Sequence, residues 1–289
     1  MHAWLCETLE GVEKLRWAEL PTPEPKAGEV RIAIKAASLN FPDLLTVKGQ
    51  YQFKPPLPFV PGSEFAGHVE AVGAGVSHLK AGQAVACVGS AGGFGTHACV
   101  NAAGVMPLPP GFDLVDAAAF ALTYGTSHHA LLDRAQLKAG ETVLVLGAAG
   151  GVGTAAIQIA KAAGARVIAA VGSDAKAEFC KGLGADATLN YGAGHLPNLR
   201  ETIKALTEGR GPDIVYDPVG GELAEPVFRS IAWRGRYVVI GFAQGTIPAL
   251  PFNLPLLKGA SVVGVFWGEF VRREHKASAA CLAELAQWY

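Results

Sequence analysis

Charge is sparse in this sequence. Only 17% of its 289 residues are charged, and 24 Lys and Arg nearly balance 25 Asp and Glu, for a net charge of −1. No basic run interrupts that balance, so the electrostatic footprint of a nucleic-acid binder is missing. The one adjacent arginine pair, Arg272-Arg273, is followed at once by Glu274 and His275 and reads as the solvated start of a helix. Cysteine is also sparse. Five residues (Cys6, Cys87, Cys99, Cys180, Cys281) are odd in number and scattered, with no CxxC spacing. That pattern argues against a disulfide framework and against a structural zinc site. No apolar run approaches the roughly 20 residues needed to span a bilayer. The opening Met1-His2-Ala3-Trp4-Leu5-Cys6-Glu7 lacks the basic stretch and apolar core of a secretion signal. A cytoplasmic protein, without nucleic-acid or membrane partners, is the expectation. Internal repeats and low-complexity linkers are absent too.

What the chain has in abundance is glycine, 36 residues, within a composition that is 50% hydrophobic. Such a chain suits a packed globular enzyme, and its length allows two domains. The first 110 residues read as β-rich. Val30 to Ala36 alternates apolar side chains as a half-buried strand does. Phe65–Val72 and Ala84–Val88 are further strand candidates, while Pro55, Pro56, Pro58 and Pro61 mark an extended loop. Near Asp113 a helix start appears. From Thr142 onward, predicted strands at 142–146, 166–171, 186–189, 213–217 and 236–240 alternate with helices at 152–163, 174–183, 197–208 and 221–232. Alternation of that kind implies a parallel sheet with helices on both faces.

The strongest local signal is Gly147-Ala148-Ala149-Gly150-Gly151-Val152-Gly153. It follows an apolar strand, opens a helix rich in small residues and is succeeded by a second strand, which together make a β-α-β unit. A backbone without side chains can approach a pyrophosphate closely, and the helix N-terminus offers N–H groups and a favourable dipole. Dinucleotide binding is the reading. An NAD enzyme usually carries Asp or Glu about 20 residues further on; here Gly172 and Ser173 stand there, followed by Asp174 and Lys176. A small residue leaves room for a 2′-phosphate, Ser173 can donate to it and Lys176 supplies charge, so NADPH is favoured. The alternative is that Ser173 or Asp174 caps the next helix with Lys176 on its wet face; Asp174 facing inward would oppose a phosphate.

Several motifs together resemble one family: Asn40-Phe41-Pro42-Asp43, Pro58-Phe59-Val60-Pro61-Gly62-Ser63-Glu64-Phe65-Ala66-Gly67, Leu122-Thr123-Tyr124-Gly125-Thr126, the glycine loop and Asp217-Pro218-Val219-Gly220-Gly221. From the N-terminus to about Trp267 the chain resembles the zinc-independent NADPH:quinone oxidoreductase, or zeta-crystallin-like, branch of the medium-chain dehydrogenase/reductase superfamily. The resemblance implies an α/β protein: a GroES-like β-rich catalytic domain over 1–119 plus a Rossmann doubly wound parallel-sheet domain over 120–270, with the active site in the cleft between them. Residues 271–289 are expected to return to the first domain, and relatives continue with further strand and helix. Zinc-dependent relatives carry a cysteine and a histidine where Asn40 and Ser63 stand, and neither replacement is a good zinc ligand.

By the same resemblance Asn40, Asp43 and Tyr51 line the substrate pocket and act in catalysis. Thr123 contacts the nicotinamide ribose or ring region; Ser173, Lys176 and Tyr191 form the 2′-phosphate set; Gly241, Phe242, Val265 and Phe266 border the nicotinamide half. Each has a plainer alternative, with Asn40 and Asp43 capping a short helix, Tyr51 anchoring a loop and Tyr191 packing at the surface. His128 and His129 lie in a helical run where His129 and Asp133 share a face, and an interhelical role is expected for both. The expected activity is metal-free hydride or single-electron transfer to a quinone or related conjugated carbonyl. Alternatives are an enoyl-thioester or enone reductase on the same scaffold, or a non-catalytic NADPH-binding structural or sensor protein. A homodimer paired through Ser261–Phe266 is expected.

Overall fold

The computed structural model describes residues 1–89, 91–192 and 198–288. The chain divides into two compact units, Met1–Leu122 and Thr123–Tyr289.

The first unit is built on a five-stranded antiparallel sheet in the order β6-β3-β4-β5-β7. Its strands are β3 (Glu29–Ala37), β4 (Glu64–Val72), β5 (Ala84–Val88), β6 (His97–Asn101) and β7 (Val105–Pro107), beside a separate hairpin of β1 (His2–Leu5) and β2 (Arg16–Glu19). Alternation on β3 turns Val30 and Ile32 inward against Phe65, Val69 and Val85. Between β3 and β4 runs helix α1 (Phe41–Val47), and α2 (Leu114–Ala117) begins where Asp113 accepts the N–H groups of Val115 and Asp116. β1, β2, β6 and β7 were not evident in the sequence. They are only three to five residues long, too short for a period of two to emerge.

The second unit holds a six-stranded, all-parallel sheet: β8 (Thr142–Val145), β9 (Arg166–Val171), β10 (Ala187–Asn190), β11 (Ile214–Asp217), β12 (Arg236–Val239) and β13 (Ser261–Gly264). Their spatial order is β10-β9-β8-β11-β12-β13. Counted from β8 as the first strand, this is the 3-2-1-4-5-6 order of the doubly wound dinucleotide fold. All four residues of β8 are buried. Leu144 faces a cluster with Ile168, Val215, Ile203 and Phe228, whereas α4 (Gly151–Ala162) covers the sheet with Ala155, Ala156 and Ile159. Helices α5 (Asp174–Gly182), α6 (Leu199–Leu206) and α7 (Ala224–Ser230) complete the crossovers. The first residue of the helix expected over 197–208 lies outside the described residues. Helix α3 (Ala121–His128) continues into a widened π-type turn over His129–Arg134.

One expectation is corrected. Residues from 271 onward do not return to the first unit. Helices α8 (Asn253–Lys258), α9 (Trp267–Arg273) and α10 (His275–Trp288) belong to the second, where α10 buries Cys281 and Leu285 and sets Cys281 Sγ 3.2 Å from His128 Nδ1. An apolar stripe is satisfied by the nearest apolar partner, which the sequence could not name. No described helix is long and apolar enough to cross a membrane.

Candidate functional site: a dinucleotide cavity and a buried carboxylate cluster

The backbone leaves β8 and turns at once. Gly147 adopts φ +57, a left-handed conformation, and its carbonyl accepts the Gly150 N–H at 2.9 Å. Gly150 is the N-cap of α4, and no side chain caps it. The first-turn N–H groups, together with the helix dipole, are therefore available to an anion. Gly153 is required by close packing: a Cβ there would sit 2.5 Å from the Gly147 oxygen and 2.7 Å from the Ala148 Cα. Thr123 reaches the same turn, since its Cγ2 lies 3.1 Å from where a Cβ on Gly151 would stand.

At the carboxyl ends of these strands opens a cavity of about 630 Å³. It is lined by Gly147, Ala149 and Gly150 of the loop, Lys176 beyond β9, Tyr191 beyond β10, and Val219, Leu223 and Gln244 beyond β11 and β12. This is the switch point of the sheet, where ligands of open α/β folds bind. Thus five of the predicted cofactor residues (Gly147, Ala149, Gly150, Lys176 and Tyr191) converge on one space. Thr123, Gly151, Val152, Gly153, Ser173, Gly241, Phe242, Val265 and Phe266 do not line it. Gly151, Val152 and Gly153 form the first turn beneath it. The Val265 N–H donates to Val239, extending the β12–β13 pairing, and Phe242 packs where a Cβ on Gly220 would be. Val219, Leu223 and Gln244 were missed. The Asp217-Pro218-Val219-Gly220-Gly221 motif was the signal that pointed to them. A neighbouring cavity of about 780 Å³ shares Glu222 and Gln244; its Arg229 is already paired with Glu225 at 2.6 Å.

Ser173 acts as a cap, its hydroxyl accepting the Lys176 N–H at 3.4 Å. Asp174 is turned toward Asn190, whose amide donates to Oδ1 at 2.7 Å, which keeps that carboxylate occupied. The Tyr191 phenol is pushed up first by burial, against a hydrogen bond from the Gly147 backbone. It therefore keeps its proton at neutral pH.

In the first unit the predicted residues form a second cluster. The Asn40 N–H donates to Asp43 Oδ2 at 2.9 Å, and Asp43 Oδ1 accepts the Ser63 N–H at 2.9 Å. Asn40 Nδ2 donates to Ser38 Oγ at 2.8 Å and to Glu64 Oε2 at 3.1 Å. A capping box joins Asn40 and Asp43 across the first turn of α1. The amide that the sequence reading gave to a substrate is thus engaged within the protein. Glu64, which that reading passed over, is the hub. It is fully buried, and its other oxygen accepts the Leu122 N–H at 2.8 Å. Tyr51 is half-buried, and its phenol is pushed up by burial and then by the charge on Asp43.

Burial also pushes the Glu64 and Asp43 carboxyls up, outweighing the hydrogen bonds that oppose it. A carboxyl raised in the folded state contributes stability that is complete below its unfolded pKa, near ~4.3 for Glu, and is lost as pH rises through the folded value. Glu64→Gln cannot ionise. The stability advantage of the wild type over Glu64→Gln is therefore expected to shrink as pH rises through the folded pKa. Denaturant unfolding of both proteins across that range measures it, and an advantage that grows with pH contradicts the argument.

His129 pairs with Asp133 at 2.8 Å and stacks on Phe270 with ring centroids 3.9 Å apart, while His128 stands between Cys281 and Glu284. Burial lowers the His129 pKa and pushes Cys281 up to about 12. Both histidines join helices of the second unit.

Residues 26–110 match the Alcohol dehydrogenase GroES-like domain, and residues 151–284 match the Zinc-binding dehydrogenase family. Quinone oxidoreductase-like protein 2 of Mus musculus is 39% identical over 261 residues, which is 90% of this chain and 74% of that protein. The chain belongs to the quinone oxidoreductase branch of the medium-chain dehydrogenase/reductase superfamily. Among solved structures of this superfamily, Escherichia coli quinone oxidoreductase complexed with NADPH matches with a TM-score of 0.89 at 30% identity, covering 99% of this chain and 87% of that one. The CurK enoyl reductase matches with a TM-score of 0.87 at 28% identity, covering 99% and 87%.

The zinc named in one family description does not fit this member. At the positions that the resemblance gives to the zinc ligands stand Asn40 and Ser63, and a neutral amide oxygen and an un-ionised hydroxyl are poor replacements for a thiolate and an imidazole. Among the described residues no three His, Cys, Asp or Glu side chains converge as a metal set.

Proposed function

We propose that this protein is an NADPH-dependent reductase of quinones or related conjugated carbonyl compounds, working without a metal. One observation carries the reading: the uncapped N-terminus of α4, Lys176 and Tyr191 meet at one cavity, and the end of β9 offers Gly172 instead of an acid. The backbone N–H groups of Gly151–Gly153 fit a pyrophosphate, and Lys176 fits a 2′-phosphate. The name of the E. coli structure supports the same cofactor. NADPH, when bound, supplies the hydride or the electron. Tyr51, which holds its proton at neutral pH, orients the acceptor and donates to its developing negative charge. Asn40, its amide engaged, fixes the loop that carries Tyr51.

The purified chain is expected to bind NADPH in preference to NADH, followed by nicotinamide fluorescence, and to oxidise it with 1,4-benzoquinone. Tyr51→Phe is expected to slow turnover by about tenfold, the value of one hydrogen bond in the transition state. Wild-type turnover in that variant removes Tyr51 from the mechanism, and failure to bind either nucleotide removes the proposal. Reduction of crotonyl-CoA or a small enone in place of the quinone would favour the second reading, an enoyl-thioester reductase, which the CurK match supports. Cofactor binding without turnover of any acceptor would favour a sensor or structural protein.

A homodimer is proposed through β13. This strand is an edge of the sheet, with Val262 and Phe266 about half exposed beside it, and an edge invites pairing with a second copy. Light scattering on the purified protein tests it.

A further inference from the structure

Three elements of the second unit meet at one buried hydroxyl. Ser127 Oγ, on α3, lies 2.9 Å from the Thr123 carbonyl of its own helix and 2.9 Å from the Val152 carbonyl in the first turn of α4. It lies 2.8 Å from the phenol oxygen of Tyr216 on β11. Both side chains are completely buried. A serine hydroxyl has one hydrogen to give, so Ser127 donates to a carbonyl and Tyr216 donates to Ser127. The partners are significant. Val152 belongs to the turn that presents its N–H groups at the cavity, Tyr216 precedes Asp217 and the loop bearing Val219, and Thr123 Cγ2 lies 3.1 Å from where a Cβ on Gly151 would stand. Helix α3 is held on another side as well, where Trp267 fills the space that a Cβ on Gly125 would need.

We infer that Ser127 and Tyr216 are positioning residues for the dinucleotide site, locking α3 and β11 onto the first turn of α4 so that Thr123 and the Gly151–Gly153 amides stand in fixed register toward the cofactor. The inference rests on the NADPH reading given above. Neither side chain lines the cavity, so both act through the backbone groups they hold. Ser127 sets the register at the first turn of α4 from the buried side, while the Tyr124 hydroxyl, donating to Gln158, ties the same two helices further along at the surface. Tyr216 orients the Ser127 hydroxyl toward the carbonyls and depends on it in turn for its own hydrogen bond.

The test uses the whole chain and three variants, Ser127→Ala, Tyr216→Phe and the double, each read for NADPH Kd, for Tm and for kcat and KM with 1,4-benzoquinone. Ser127→Ala is expected to weaken NADPH binding about tenfold, the worth of one buried hydrogen bond, with kcat changed less than about twofold. Its Tm falls as well, because the Tyr216 hydroxyl is stranded in a dry site. The double variant removes that stranded group, so Tm recovers while the Kd stays high. A residue that served stability alone would restore both together. Ser127→Ala binding NADPH as tightly as the wild type, or a double variant that regains both Tm and affinity, overturns the inference and leaves the cofactor reading intact. Should Ser127→Ala fail to fold, the double variant decides by the same two readouts. A wild type that binds no NADPH ends both, and that titration comes first.

Discussion

Gly153→Ala is expected to lower the unfolding free energy by about 3 kcal/mol, the range of a severe overpacking, and to weaken NADPH binding roughly 100-fold. The added methyl meets backbone, with the Gly147 oxygen at 2.5 Å and the Ala148 Cα and C at 2.7 and 2.8 Å. No rotamer change relieves such a clash. Relief requires α4 to move away from the turn that follows β8, and this movement carries the first-turn N–H groups away from the cavity. Val152 offers a comparison in the same turn, since it already has a side chain. Val152→Ala shortens that side chain and leaves the register alone, so it is expected to cost far less. Urea unfolding with nicotinamide fluorescence titration measures both effects. A Gly153→Ala protein with wild-type midpoint and wild-type Kd would show that helix and turn are not in the contact described.

Asp217→Ala is expected to cost about 3 kcal/mol and to weaken cofactor binding some 30-fold, whereas Asp217→Asn is expected to be mild. Asp217 is 2% exposed, and one of its oxygens accepts the N–H groups of Val219 at 2.7 Å and Gly220 at 2.9 Å. The other accepts the Tyr237 hydroxyl at 2.5 Å. Alanine leaves three donors unpaired in a site closed to water, each costing about 1 kcal/mol or more. The loop that brings Val219 to the cavity loses its tie to β11. Asparagine keeps an oxygen for the two backbone donors and turns its NH2 toward Tyr237, whose hydroxyl can rotate to accept. The same two measurements distinguish the variants. Equal effects of Ala and Asn would mean that the charge on Asp217, instead of its acceptor geometry, shapes the loop.

The two substitutions differ in how readable their sites were. Gly153 announces itself, because a glycine pattern between an apolar run and a run of small residues has a local meaning: strand, turn, helix. Helix α4 begins within one residue of the expected start, and β9 spans the expected Arg166–Val171. Asp217 lies in a motif that the resemblance picked out, yet its role depends on Tyr237, twenty residues away and on the neighbouring strand. Ser127 was less readable still, since its partners lie 25 and 89 positions away. Asn40 and Asp43 show the same limit from another side. Their spacing of three was compatible with a cap and with a pocket, and the cap is present; the hub beneath it, Glu64, had no signal of its own because a lone glutamate inside a β-strand pattern looks solvated.

Periodicity and glycine placement in the sequence alone determined the alternation of strands and helices in the second unit and the position of the glycine turn between β8 and α4. These features depend on neighbours within a few positions, so they survive in one dimension. The tertiary structure decided which side chains share a buried volume: Lys176 and Tyr191 at one cavity, Ser127 against Tyr216, Glu64 under Asn40, and α10 against His128. Burial and hydrogen-bond pairing are properties of distance in space, and only the folded chain brings residues so far apart in sequence beside one another.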